Sequence, residues 1–164
     1  MMLHIDIRHE QDSDYDVIST LVENAFGQPD EARLVEALRG DGHVEIAMVA
    51  VEHHEVVGHV VLSSMQAPFR ALGLAPLAVL PERRRRGIGR ALTNAALARA
   101  KLDGWDAVFV LGDEGYYRRF GFRPDLAAGF ESPYAGPHFM VAPLQGELPQ
   151  TSGKIDYAPA FAAL

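Results

Sequence analysis

The amino-acid sequence predicts an α/β (α+β) protein forming one domain over residues 1–164, and three observations lead there. Period-two apolar runs and amphipathic helical stretches succeed one another in the order β-α-α-β-β-β-α-β-α-β. One stretch, from Leu72 to Leu102, is a strand, a glycine-containing loop and a helix in direct succession. At 164 residues, 48% hydrophobic and 23% charged, the chain has an ordinary globular composition and is long enough to bury roughly two-thirds of its unfolded surface.

Leu3 to Arg8 alternates apolar and polar residues, as a half-buried strand does. Ser13 with Asp16 has the spacing of a capping box, and Val17, Ile18, Leu21, Val22, Ala25 and Phe26 then fall on one helical face. A second helix is predicted from Asp30 to Arg39, with Leu34, Val35 and Leu38 inward and Gly40 as its C-cap. Two strands, Val44 to Glu52 and Glu55 to Ser64, are joined tightly at His53-His54. Leu72 to Val79 is the next strand, cut off by Pro81, and the helix from Gly87 to about Leu102 ends at Gly104. Residues 107–111 read as a strand, a short helix carries Tyr116 and Tyr117, and Gly121-Phe122 opens an extended piece. His138 to Leu144 is a covered strand, and a last strand falls near Ile155 to Tyr157.

Several function classes drop out on composition. With no cysteine there is no disulfide framework, thiolate metal site or cysteine nucleophile. The N-terminus lacks the apolar core of a signal peptide and no apolar run approaches 18 residues, so the expected address is cytoplasmic, without membrane attachment. A formal net charge of -7 argues against nucleic acid as a partner, which favours an extended basic face.

Against that acidic background, Arg83-Arg84-Arg85-Arg86-Gly87-Ile88-Gly89-Arg90 stands at the start of the long helix. The first amides of a helix have no partner within it, and the macrodipole adds about half a positive charge there. Glycines let an anion approach the backbone closely. The loop is neither a dinucleotide fingerprint nor a P-loop, whose spacings differ. Read alone, it is either a pyrophosphate cradle or a solvated basic turn.

The spacing is similar to the acyl-CoA loop of the GNAT superfamily of N-acetyltransferases: Gln or Arg, two residues, Gly, one residue, then Gly or Ala, filled by Arg84, Gly87 and Gly89. A second signature follows the next strand, a tyrosine four residues before a Gly-Phe pair, met by Tyr117, Gly121 and Phe122. The stretch from Pro76 to Phe122 resembles the branch labelled YhbS-like. The resemblance implies the GNAT acyl-CoA N-acyltransferase fold, with a mixed central sheet flanked by helices; periodicity alone does not reach the mixed sheet. It implies acetyl-CoA as cosubstrate, with no metal, and an acetyl group passed to a primary amine of a small molecule or protein. The backbone of Leu77, Ala78 and Val79 would then contact pantetheine. Arg84, Arg85, Arg86, Gly87, Ile88, Gly89 and Arg90 would hold the pyrophosphate.

Tyr117 is the candidate general acid, since a phenol with a reference pKa of about 10 stays protonated at neutral pH; the plainer reading is a buried, packing tyrosine. Tyr116 is read as packing or substrate-facing. The general base stays open among Glu52, Glu55, His59 and water. His59, within a strand, also fits a satisfied half-buried histidine, while His53 and His54 fit a solvated turn. The His/Glu cluster matches no metal spacing. Asp113 and Glu114 either attract a cationic amine or start the short helix. Phe130, Pro133, Tyr134 and Pro137 form an aromatic, turn-rich loop that lines the acceptor site or covers the core. The acceptor amine is not named by the sequence, and family members often form homodimers. A silent acyl-CoA-binding sensor is the alternative function.

Overall fold

The computed structural model describes residues 4–164, so Leu3 of the expected first strand lies outside the described residues. The elements are β1 (Asp6–His9), α1 (Tyr15–Phe26), α2 (Asp30–Gly40), β2 (Val44–Glu52), β3 (Glu55–Ser64), β4 (Ala71–Val79), α3 (Ile88–Leu102), β5 (Ala107–Leu111) and α4 (Glu114–Tyr117). They continue with α5 (Pro124–Ala127), β6 (Phe130–Glu131), β7 (Phe139–Pro143) and β8 (Gly153–Lys154). Six strands form a mixed sheet in the order β1-β2-β3-β4-β5-β7, in which β4 and β5 are parallel and all other neighbours antiparallel.

Strand periodicity sorts the two faces. In β3 the even positions meet α3: a Cβ built on Gly58 would lie 2.9 Å from Leu92 Cδ1 and 3.0 Å from Ile88 Cγ2. The odd positions face the other way, where Val61 packs with Leu34, Val35 and Leu38 of α2. Helices therefore cover both faces, as the apolar stripes of α2 and α3 require. The β2–β3 connection is a two-residue turn with positive φ at both His53 (50°) and His54 (64°), the backbone hand that matches strand twist.

What positions the site is an irregularity in β4. Val60 pairs with Leu77 and Leu62 with Leu74, so Ala75 and Pro76 together oppose Val61. Such a bulge bends a strand, and Pro76 adds to the break because it has no N–H for a ladder. Pairing between β4 and β5 stops at Gly73–Phe109, while β5 stays paired to β7 as far as Leu111–Phe139. Beyond Gly73 the parallel strands diverge and leave a wedge.

The structure corrects the sequence at four places. Gln11 and Asp14, not Ser13 and Asp16, make the i,i+3 pair: the Asp14 carboxylate accepts the Gln11 N–H at 2.8 Å and is held by Arg8 at 2.7 Å. A 3-10 turn over Asp12–Asp14 therefore precedes α1. Gly40 lies within α2, and the left-handed residue is Gly42 (φ 75°). The final strand is Gly153–Lys154, paired with β6; Asp156 makes only an isolated bridge to Gln66. Last, α5 and β6 fall where no strong period exists, and Phe130 is core, 3% exposed.

Candidate functional site

The arginine loop folds through two left-handed residues. After β4 a 3-10 turn over Pro81–Arg83 leads to Arg85 (φ 65°) and Gly87 (φ 82°), and α3 begins at Ile88. Gly87 suits that conformation, whereas Arg85 adopts it against ordinary preference. The first helix hydrogen bond runs from Ala91 N to Gly87 O at 3.0 Å. The amides of Ile88, Gly89 and Arg90 thus have no partner inside α3.

Ion pairs hold part of this loop from behind. Arg83 Nε donates to Glu52 Oε1 at 2.8 Å, Arg83 Nη2 reaches Glu55 at 3.4 Å, and Arg86 lies 3.9 Å from Glu52. Arg84 donates to the Ala25 carbonyl at 2.6 Å and so ties the loop to the end of α1. Among the described residues, no hydrogen bond or ion pair engages the side chains of Arg85 and Arg90. Three of the cluster's charges, on Arg83, Arg84 and Arg86, brace the loop, and two, on Arg85 and Arg90, are left for a ligand.

A cleft of about 530 Å³ opens in front of those amides. Leu77, Ala78 and Val79 line one wall, the loop from Arg83 to Arg90 one end, and Tyr116 with Arg119 the opposite side. Of the ten residues the sequence assigned to cofactor binding, Arg86 alone does not line it, since it turns back towards Glu52. The two loop glycines do different things. A Cβ on Gly87 would meet nothing within 4 Å; one on Gly89 would stand 3.0 Å from Tyr116 Oη. Gly89 lets the helix start and the tyrosine approach each other.

Tyr117 lies just behind this wall. Its ring packs edge-on against Tyr116 (centroids 4.9 Å apart) and Phe122 (5.6 Å), and Gly112 sits so close that a Cβ there would be 2.6 Å from Tyr117 Cε2. Burial, and then the neighbouring Tyr116, push its phenol up to about 12.

Residues 43–124 match the GNAT acetyltransferase domain family. The chain is 35% identical over 134 residues to the uncharacterized N-acetyltransferase YjhQ of Escherichia coli K12, covering 76% of this chain and 74% of that one. The chain belongs to the GNAT acetyltransferase family. Two crystal structures agree on the fold. Escherichia coli YhbS in complex with CoA superposes with a TM-score of 0.92 at 31% identity, covering 99% of this chain and 94% of that one. A GNAT acetyltransferase of Brucella melitensis in complex with acetyl-CoA gives 0.82 at 32% identity, covering 98% and 99%.

Within this GNAT chain the candidate bases are all engaged elsewhere. Glu52, 7% exposed, and Glu55 brace Arg83. His59, fully buried, meets Glu10 Oε1 at 2.7 Å, and Glu10 also takes Arg39 Nη2 at 2.6 Å. That triad lies on the α2 face of the sheet, and none of these residues lines the cleft. Asp113 caps α4 by accepting the Gly115 amide at 3.2 Å, while Glu114 pairs with Arg118. His53 and His54 are exposed. No cluster of three or more His, Cys, Asp or Glu among the described residues has metal-holding geometry.

Ala25 and Phe26 at the end of α1 and Arg119 after α4 line the cleft without having been singled out for it in the sequence, and Tyr116, read as packing or substrate-facing, lines it too. Phe26 carried a signal, being an aromatic residue directly before a glycine that ends a helix in the left-handed conformation. For Tyr116 the choice between packing and facing the cleft needed the structure, because adjacent tyrosines on one turn are separable only by knowing which side the cleft is on.

Proposed function

We propose that the protein transfers an acetyl group from acetyl-CoA to a primary amine by direct attack, with Tyr117 as general acid. The observation that carries this is the set of Ile88–Arg90 amides without helical partners at one end of a cleft walled by the part of β4 that pairs with β3 but not with β5. Donors, dipole and unengaged guanidinium groups converge there on the position of a pyrophosphate. The unpaired β4 edge at Leu77–Val79 offers backbone groups to pantetheine, as a sheet edge does to an added strand. The bound CoA and acetyl-CoA of the two similar crystal structures support the same ligand here.

In the reaction, the amine nitrogen bonds to the thioester carbonyl carbon, the C–S bond breaks, and sulfur takes the Tyr117 proton. The proton shed by the ammonium returns to the phenolate through water, since no carboxylate or imidazole among the described residues lines the cleft. Burial keeps Tyr117 protonated at neutral pH. It also makes complete transfer to a thiolate, whose reference value is about 8.5, uphill by roughly 5 kcal/mol. Tyr117 therefore gives up its proton only in step with the return of the amine's proton through water, so that phenolate does not accumulate.

Tyr116 is the second reading for the acid, on the specific ground that it lines the cleft while Tyr117 stands behind it. Single-turnover kinetics of Tyr116→Phe and Tyr117→Phe with acetyl-CoA and an amine decide between them. Loss of turnover with unchanged coenzyme A affinity is expected for Tyr117→Phe alone. Loss for Tyr116→Phe alone moves the role to that residue, and loss for neither removes tyrosine acid catalysis. Coenzyme A binding without transfer to any amine would leave the silent sensor.

A further inference from the structure

A second cavity, of about 150 Å³, lies where β4 and β5 diverge, bordered by Leu74, Ala75, Leu111, Tyr134, Tyr157 and Phe161. It adjoins the proposed reaction centre through both strands. Leu74 and Ala75 lead across the bulge to the Leu77–Val79 wall, and Leu111 precedes Gly112, which rests on the Tyr117 ring. Tyr157 closes the inner side, its ring against Gly73, where a built Cβ would fall within contact distance of the aromatic edge.

The lining is apolar, built of aliphatic groups and aromatic rings. Tyr157 Oη is itself buried, so Tyr157 presents its ring to the cavity and not its hydroxyl. An apolar cavity of about 150 Å³ is the size that admits a benzene ring. A second charge or a set of sugar hydroxyls would be desolvated there without compensation.

We propose that this cavity is the acceptor subsite and that the acceptor is a monoamine with a single aryl or branched-alkyl end group. The proposal rests on the acetyltransferase reading of the neighbouring cleft. Polyamines and amino sugars are the classes it excludes. The aryl or alkyl group occupies the cavity, and its amine emerges towards the β4–β5 divergence beside Tyr117.

The test uses the whole protein saturated with coenzyme A and titrated calorimetrically with 2-phenylethylamine, spermidine and glucosamine, followed by KM and kcat for each with acetyl-CoA. At least tenfold tighter binding and a tenfold lower KM for 2-phenylethylamine are expected. Leu111→Glu, at a half-exposed position (49%), is expected to raise that KM at least tenfold and leave coenzyme A affinity unchanged. Preference for spermidine or glucosamine, or no binding of 2-phenylethylamine to the coenzyme A complex, overturns the acceptor class while leaving the cofactor cleft standing. Failure of coenzyme A itself to bind overturns the acetyltransferase reading, and this proposal with it.

Discussion

Replacing Gly87 in turn with alanine and with glutamate separates backbone strain from electrostatics in the phosphate cradle. Gly87 sits at φ 82°, and a Cβ there meets nothing within 4 Å, so both variants fit sterically. Each carries the left-handed penalty of about 1–2 kcal/mol, which falls on folding. For a chain of this size that corresponds to a melting point lower by roughly 2–8 °C. Glutamate adds a carboxylate facing the proposed pyrophosphate. Two like charges 4 Å apart repel by about 1 kcal/mol in water and about 4 kcal/mol at an effective dielectric constant of 20. At about 1.4 kcal/mol per decade, coenzyme A affinity should fall roughly 5-fold to 1000-fold in Gly87→Glu relative to Gly87→Ala. The ratio should narrow towards 1 M salt, where the screening length is about 3 Å. Calorimetry on both variants at two salt concentrations makes the measurement. Equal affinities in two folded variants would refute a pyrophosphate at this loop.

Four further outcomes are expected. Tyr117→Phe should lower kcat by about 10²–10⁴-fold with coenzyme A affinity intact. Ultraviolet titration of the free protein should show Tyr117 ionising only near 12, because burial disfavours the phenolate. Glu52→Gln should loosen Arg83 and weaken coenzyme A binding several-fold, read by calorimetry, since Glu52 braces the loop without lining the cleft. Glu10→Gln should cost about 3 kcal/mol in denaturant unfolding, as it unpairs Arg39 and His59 in a buried triad. Burial raises the Glu10 carboxyl pKa, but hydrogen bonds from His59 and Arg39 outweigh it and hold the group below its ordinary value. Its stabilisation is thus present above the unfolded carboxylate pKa, about 4.3, and lost as pH falls below it. The gap between wild type and Glu10→Gln should close in acid.

Strong local patterns made much of this legible. The Gly87–Gly89 loop, the β2–β3 hairpin and the long helix after the loop each rest on residues adjacent in sequence, where turn chemistry and period act directly. Residues recruited from a distance were not legible. Phe26 reaches the cleft because Arg84 ties the loop to the Ala25 carbonyl, a contact across 59 positions. Glu52 supports the arginine loop because Arg83 folds back onto it, which charge counting does not reveal. His59 was open between base and core until Glu10, 49 positions earlier, was seen to meet its ring. The bulge at Ala75–Pro76 is marked by a proline, but its consequence, an open wedge between parallel strands, exists only once β5 is placed beside β4.

Amide resonances followed by NMR during a coenzyme A titration test the central claim most directly. The account expects saturable, selective shifts of Ile88, Gly89 and Arg90, accompanied by Leu77 to Val79, and none from an equal concentration of an unrelated dinucleotide. Shifts confined to other surfaces, or equal responses to both ligands, would contradict the assignment of this loop and cleft to acyl-CoA.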